Sequence, residues 1–341
     1  MPSFPFLKLP KLSQLNVLKN SNLDDFFIFS LASKRAKNIA IAARRSIDDL
    51  SWVLDSMGDD ENENQIRLSN GLTFYVPMLK SLEEARQTEN VEECKLNGQL
   101  VPMYRAGRAW YFEDRNRGIE HYFELLDLLS TLILEVFQCQ YFQFMTSSPS
   151  APEDLFVFKH TRKFTNFRYF IPESDVNLQT SLPAEHVKFA LEQLEVRDCF
   201  FVEPPVPGFQ WVGPLKMEIL TAHNAGWLTF EALMNNECME IITNGHTFTT
   251  AELNGFLHKW IAGGFPNLEY CRLNDRDNDN DRTTVLQGIE TMPYNPENRP
   301  DEHPRDDEDL SHGVDIRRND GILATFDYNL GTLILAVWIN L

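Results

Sequence analysis

The chain has 341 residues, 43% of them apolar and 12% aromatic, which is the make-up of a folded protein long enough for two domains. Its formal net charge of −19 is uneven: residues 1–45 hold eight Lys/Arg against two Asp/Glu, so the remainder carries −25. So acidic a remainder argues against non-specific nucleic-acid binding, which needs a basic footprint, and against adhesion to anionic membranes.

The first 45 residues read as three short helices. Phe4, Phe6, Leu7 and Leu9 form an apolar lead-in that Pro5 keeps extended, and Pro10 suits the first turn of a helix. Leu12, Leu15 and Leu18 then fall three apart, one stripe of an amphipathic helix. Asn20-Ser21-Asn22 ends it, and Asn22 can cap a second helix with Asp24 and Asp25 in its first turn. That helix, with Phe26, Phe27, Ile28, Phe29 and Leu31, is apolar on nearly every side and needs burial on several. Ser33 can cap a third, with Ala36, Ile39, Ala40 and Ala43 inward and Lys34, Arg35, Lys37, Arg44 and Arg45 outward. So short a segment closes no stable core alone, so either the following domain or another protein covers it.

The run FPFLKLP…VLKN…FFIFSLASKRAKNI resembles an F-box. The resemblance implies docking to a Skp-type adaptor and, through it, to cullin and RING subunits of a ubiquitin ligase. It places the docking positions at Leu7, Leu9, Pro10, Leu12, Val17 and Leu18, continued by Phe26, Leu31 and the turn Ser33-Lys34-Arg35. Ala32 stands where many relatives carry Leu or Cys, a small loss of apolar area.

After Ile47 the period changes to two. Trp52–Leu54 is a short strand, followed by an acidic loop at Asp59–Glu63. Ile66–Leu68 and Leu72–Val76 alternate around Asn70-Gly71, and Cys94–Leu96 and Leu100–Met103 around Asn97-Gly98, the strongest short hairpin signal. Residues 50–112 therefore read as a small antiparallel sheet. Ile119–Phe137 carries one long apolar stripe and reads as a helix, with a strand at Tyr141–Met145 after it. The alternating basic and aromatic residues of 158–170 read as an exposed strand or a ligand-facing surface.

Helix and strand then alternate: helix Pro183–Glu192, strand Leu194–Arg197, strand Met217–Thr221, helix Phe230–Asn235 and strand Met239–Thr243. Thr249-Thr-Ala-Glu252 is a capping box, its helix stopped by Gly263-Gly264, and Leu268–Leu273 is the next strand. The strands share a phrase, Leu194-Glu-Val196, Met217-Glu-Ile219, Met239-Glu-Ile241 and Leu268-Glu-Tyr270, at spacings within the leucine-rich-repeat range. The expected fold class is thus α/β: a three-helix F-box at 1–45, then a small antiparallel sheet and an irregular leucine-rich-repeat-like α/β domain within 46–341. Residues 275–309 hold twelve Asp/Glu against four Arg and read as an acidic loop outside the core. Val314–Arg317, Ile322–Phe326 and Leu333–Ile339 form a closing sheet.

The segments 227–238 and 249–270, with 315–326 and Val337-Trp338, resemble the type 2 F-box-associated domain. That resemblance implies a domain that recognises a target protein and a chain without catalysis. The chemistry points the same way. There is no GxGxxG, P-loop, GxSxG or HExxH. Five scattered cysteines without a CxxC pair read as reduced thiols inside the cell, cytoplasmic or nuclear, with no structural zinc. The eight histidines show no close ligand pair, and His303 and His312 read as solvated. Asp275-x-Asp277-x-Asp279 lacks the Gly and the Glu of a calcium loop, so no metal or cofactor is expected. The leading expectation is a substrate-recognition adaptor of a Skp–cullin–F-box ligase. The alternatives are an interaction scaffold with no ligase role and an enzyme with an unrecognised site. If Leu194/Val196 and Cys271/Leu273 face the core, then Glu195, Arg197, Tyr270 and Arg272 line the opposite strand face, joined by Glu240 and Ile242 if Ile241 is inward; these are the candidate target-binding residues, the alternative being that they are simply solvated.

Overall fold

The computed structural model describes residues 6–54, 64–69, 71–76, 92–96, 98–106, 109–112, 119–148, 150–171, 181–275 and 282–339. The expected loop at 59–63, residues 70 and 97 of the two hairpin turns, and positions 277 and 279 lie outside them. The chain divides into two compact units, Met1–Phe164 and Thr165–Leu341, and both contain helices and strands, as an α/β chain should.

In the first unit a turn of 3-10 helix, Phe6–Lys8, leads into α1 (Lys11–Asn20), α2 (Leu23–Leu31) and α3 (Lys34–Ala43). Pro10 is the N-cap residue of α1 and supplies no side-chain cap. The buried Gln14 instead ties the lead-in down, its Nε2 donating to Leu9 O at 2.9 Å and to Phe6 O at 3.3 Å. Asn22 Oδ1 accepts Asp25 N–H at 2.6 Å, and Ser33 Oγ accepts Ala36 N–H at 3.1 Å, the two caps the sequence implies. Arg44 takes a left-handed conformation (φ 36°) that ends α3, and β1 (Arg45–Leu54) starts at once.

Next come β2 (Asn64–Leu68), β3 (Thr73–Val76), β4 (Glu92–Leu96), β5 (Gln99–Ala106), β6 (Ala109–Phe112), α4 (Ile119–Val136), β7 (Phe137–Thr146) and α5 (Val157–His160). The sheet order is β7-β1-β2-β3-β6-β5-β4. The two hairpins, β2–β3 and β4–β5, are present, with Gly71 (φ 87°) and Gly98 (φ 93°) in the conformation their turns require. The sheet is not purely antiparallel as expected. β1 pairs in parallel with β7 from Arg45↔Phe137 to Leu54↔Thr146, and β3 pairs in parallel with β6. Parallel neighbours need a long crossover, which α4 completes immediately before β7. Trp52 Nε1 donates to Ser130 Oγ of α4 at 2.9 Å inside this core.

The aromatics of 158–170 correct a second expectation. They form no exposed surface: Phe158, Phe164, Phe167 and Tyr169 are all buried, the last three on β8 (Lys163–Tyr169).

In the second unit α6 (Ala184–Gln193) leads to β9 (Glu195–Val202), and β10 (Ile219–Ala222) follows after an irregular stretch. Then come α7 (Phe230–Met234), β11 (Glu240–Asn244), α8 (Thr250–Ile261) and β12 (Tyr270–Asn274). β9, β10, β11 and β12 lie side by side in parallel and in chain order. Thr249 and Glu252 form the capping box of α8: Thr249 N–H donates to Glu252 Oε2 at 2.7 Å, and Glu252 N–H donates to Thr249 Oγ1 at 3.3 Å.

After α9 (Arg282–Val285) and the short strands β13 (Met292–Pro293), β14 (Glu302–His303) and β15 (Asp306–Asp309), the antiparallel strands β16 (Val314–Arg317), β17 (Leu323–Asn329) and β18 (Thr332–Trp338) close the sheet against β12. Among the described residues no helix is long and apolar enough to cross a membrane.

The acidic stretch 275–309 is not a loop outside the core. Val285 and Arg299 are buried, His303 is buried against Tyr270 and Trp338, and β13 pairs with β16. Composition misled because a few anchors sit among many charged residues. Burial is decided by those anchors and not by the average charge.

Candidate functional site

Each unit presents one surface of the expected kind. In the first, Leu7, Leu12 and Val17 are exposed at 40%, 72% and 46%. They are three of the seven exposed large hydrophobic side chains among the described residues, and all fall within eleven positions of the lead-in and α1. Pro10 is exposed beside them and Leu9 is half-buried. Lys8, Lys11, Lys19, Lys34 and Arg35 are exposed, and Arg35 Nη2 donates to Leu7 O at 3.2 Å, joining α3 to the lead-in.

Three expected docking residues lie elsewhere. Leu18 is buried and Leu31 half-buried. Phe26 is fully buried, its ring 5.3 Å from Phe137 of β7 with the Arg45 guanidinium over it. Phe27 packs 4.5 Å from Phe74 of β3. Thus α2 is absorbed by the chain's own sheet, while α1 keeps its outer face bare. The apolar excess noticed in the sequence divides into a part this chain covers and a part it leaves open.

In the second unit the parallel strands have two faces. Phe200, Leu220, Ile241, Cys271 and Leu335 align across the sheet and are buried, as are Val202, Ala222, Thr243, Leu273 and Leu333. The alternate residues form the opposite face: Cys199, Ile219, Glu240 and Tyr270 in one row, Phe201, Thr221, Ile242 and Arg272 in the next. Over β9, β10 and β11 these are half-buried. Arg168 stands 4.1 Å above the Phe201 ring, and the His223 ring meets it edge-on at 5.2 Å.

The expected target-binding residues divide along this face. Glu195 and Arg197 are exposed, with Arg197 paired to Asp198 at 2.9 Å, and both border a cavity of about 520 Å³. Its other walls include Leu191, Leu194, Trp211 and Met217. The cavity lies where β9 passes to β10 through an irregular segment in place of a helix. Glu240 and Arg272 are half-buried on the strand face.

Tyr270 corrects the sequence reading. It lies on the expected face but is only 1% exposed. The β14–β15 hairpin covers it: His303 stacks 5.6 Å from its ring, and Arg305 bridges Glu240 at 3.0 Å and Glu269 at 2.5 Å. This strap explains why His303 is buried, with Nε2 3.1 Å from Val337 O, and not solvated.

The cysteines are poor nucleophiles as placed. Burial pushes the thiols up to about 11 for Cys94 and Cys199 and to about 12 for Cys139 and Cys238, and higher still for Cys271. His246, the histidine nearest Cys238 in sequence, is committed to the backbone: its Nδ1 accepts Phe248 N–H at 3.1 Å. Shifts of this size lower the thiolate fraction at neutral pH by about 10²–10³. Iodoacetamide at neutral pH should therefore label all five thiols slowly in the folded chain and rapidly in urea, read by mass spectrometry. Equal rates in the two states would contradict this placement. Among the described residues no group of three or more His, Cys, Asp or Glu is arranged to hold a metal ion.

Comparison with known proteins agrees with part of this reading. No solved structure matches the chain. An uncharacterized protein of Caenorhabditis elegans, F59B2.8, is 22% identical, over 98% of this chain and 78% of that protein. The family comparison detects no F-box in the N-terminal residues. Residues 209–273, which run from the Trp211 wall of the cavity through β10, α7, β11 and α8 into β12, match the family described as F-box associated.

Proposed function

We propose that this chain is the substrate-recognition subunit of a Skp–cullin–F-box ubiquitin ligase, working in the cytoplasm or nucleus. The F-box-associated match over residues 209–273 carries this reading, and the exposed Leu7, Leu12 and Val17 of the lead-in and α1, with exposed lysines and arginines of α1 and α3, support it. In this role Leu7, Leu9, Pro10, Leu12 and Val17 meet the adaptor, while Lys34 and Arg35 face its acidic groups. The strand face over β9–β11, with Glu195, Arg197, Glu240 and Arg272 around it, meets the target protein. The chain makes and breaks no bonds. It holds the target near a charged ubiquitin carrier, and the gain is one of effective concentration.

The test is capture of a Skp-type adaptor by the full chain and by the double variant Leu12→Asp, Val17→Asp. Both side chains are exposed, so the variant should fold as the parent does. Removing central anchors should cost about 2–4 kcal/mol of binding and abolish capture. Undiminished capture would refute the docking face. If neither form captures an adaptor while both retain the same protein partners, the chain is an interaction scaffold without a ligase role.

A further inference from the structure

The first unit has a second opening, apart from the bare face of α1. A groove of about 830 Å³ lies between the α2–α3 turn, the edge strand β4 and helix α4. That volume is in the range of about 300–1,000 Å³ typical of ligand sites. Its floor is aliphatic: Leu96 and Leu132 are buried there, and Leu31 and Leu128 are half-buried.

The charges at the rim are unequally satisfied. Glu135 is taken by Lys37, and Asp127 by His160 at 2.7 Å and Lys159 at 3.2 Å. Lys34 and Lys95 line the same groove, are exposed, and have no partner among the described residues. After internal pairing, the groove therefore presents two free cations over a leucine floor, on a chain whose net charge is −19. Among the described residues no aromatic side chain lines it, so they offer no stacking platform for bases. A basic segment would meet two unpaired ammonium groups. An acidic segment with aliphatic side chains would bury them on the leucines and pair its carboxylates with the lysines.

We propose that this groove is a second protein-binding site, which takes a short acidic segment carrying leucine-like side chains. The site shares Lys34 with the surface assigned to the adaptor, and otherwise rests on neither the adaptor nor the target-binding reading.

The test uses the full chain and three fluorescein-labelled peptides, read by anisotropy: Asp-Glu-Leu-Leu-Glu-Asp, its leucine-free counterpart Asp-Glu-Ser-Ser-Glu-Asp, and the basic Lys-Arg-Leu-Leu-Arg-Lys. The acidic leucine peptide should bind best, and added salt should weaken it. The variant Lys95→Glu, Thr131→Glu changes two exposed side chains of the groove and should weaken that peptide about tenfold or more. Its melting temperature and circular dichroism should match the parent's. Equal affinity of the variant, equal binding of the leucine-free peptide, or preference for the basic peptide would each overturn the proposal. Adaptor capture by this variant should equal the parent's, since neither residue lies on the α1 face. Lost capture would make the groove part of the adaptor surface and end its standing as a separate site.

Discussion

Replacing Arg299 by Ala is expected to destabilise the second unit by about 3–5 kcal/mol, because it strands a buried carboxylate. The Arg299 side chain is fully buried and that of Asp315 nearly so. Arg299 Nε donates to Asp315 Oδ1 at 2.8 Å, its Nη1 to Pro300 O at 2.9 Å and its Nη2 to Leu310 O at 3.0 Å. The same carboxylate oxygen accepts Thr325 Oγ1–H at 3.0 Å, and Thr325 Oγ1 accepts Trp338 Nε1–H at 2.8 Å. The guanidinium also lies over Tyr294 at 4.4 Å and Trp338 at 5.3 Å. One residue thus joins the acidic stretch to β16, β17 and β18. A melting experiment should show a fall on the order of 10 °C. The double change Arg299→Leu, Asp315→Leu should recover part of the loss, since an apolar pair leaves no charge unpaired. A single variant that melts with the parent would show that the Arg299–Asp315 pair does not hold the stretch 275–309 to the sheet.

Phe27→Ala is expected to cost the first unit about 3–5 kcal/mol, the range for a buried aromatic cut back to alanine. Phe27 is fully buried against Phe74, which in turn faces Phe112 at 6.3 Å, so its loss leaves a cavity between α2 and the sheet. The contrast with Leu12 is the point. Leu12→Ala removes a side chain that is 72% exposed and should leave stability within about 0.5 kcal/mol of the parent. Chemical denaturation of the two variants separates the helix that serves the fold from the helix that is free for a partner. Deleting residues 1–45 does not make that separation, because it strips Phe26 and Phe27 from Phe137 and Phe74. Equal stability of Phe27→Ala and the parent would mean that α2 does not pack on the sheet.

Much of the secondary structure was legible without coordinates because its determinants are local. Asn22, Ser33 and Thr249 cap the helices they precede because each side-chain oxygen reaches an amide three positions on. Glycines 71 and 98 sit in hairpin turns because positive φ costs them little. The period-two phrases around Ile241 and Leu273 became strands with the expected residues inward, since a strand alternates whatever lies beyond it. The stripe of Leu12, Leu15 and Leu18 did not hold as one face of α1: Leu18 is buried and Leu12 is exposed.

What covers each face was not legible. Tyr270 points to the side the alternation implies, yet a hairpin from the most acidic stretch of the chain lies on it. Phe26 belongs to an apolar helix in either reading, and only the parallel pairing of β1 with β7 brings Phe137 against it. Periodicity therefore determined which way each side chain points, because that depends on the dihedral angles of its own residue. Burial was decided by tertiary structure, because it depends on contacts between segments that local sequence does not bring together.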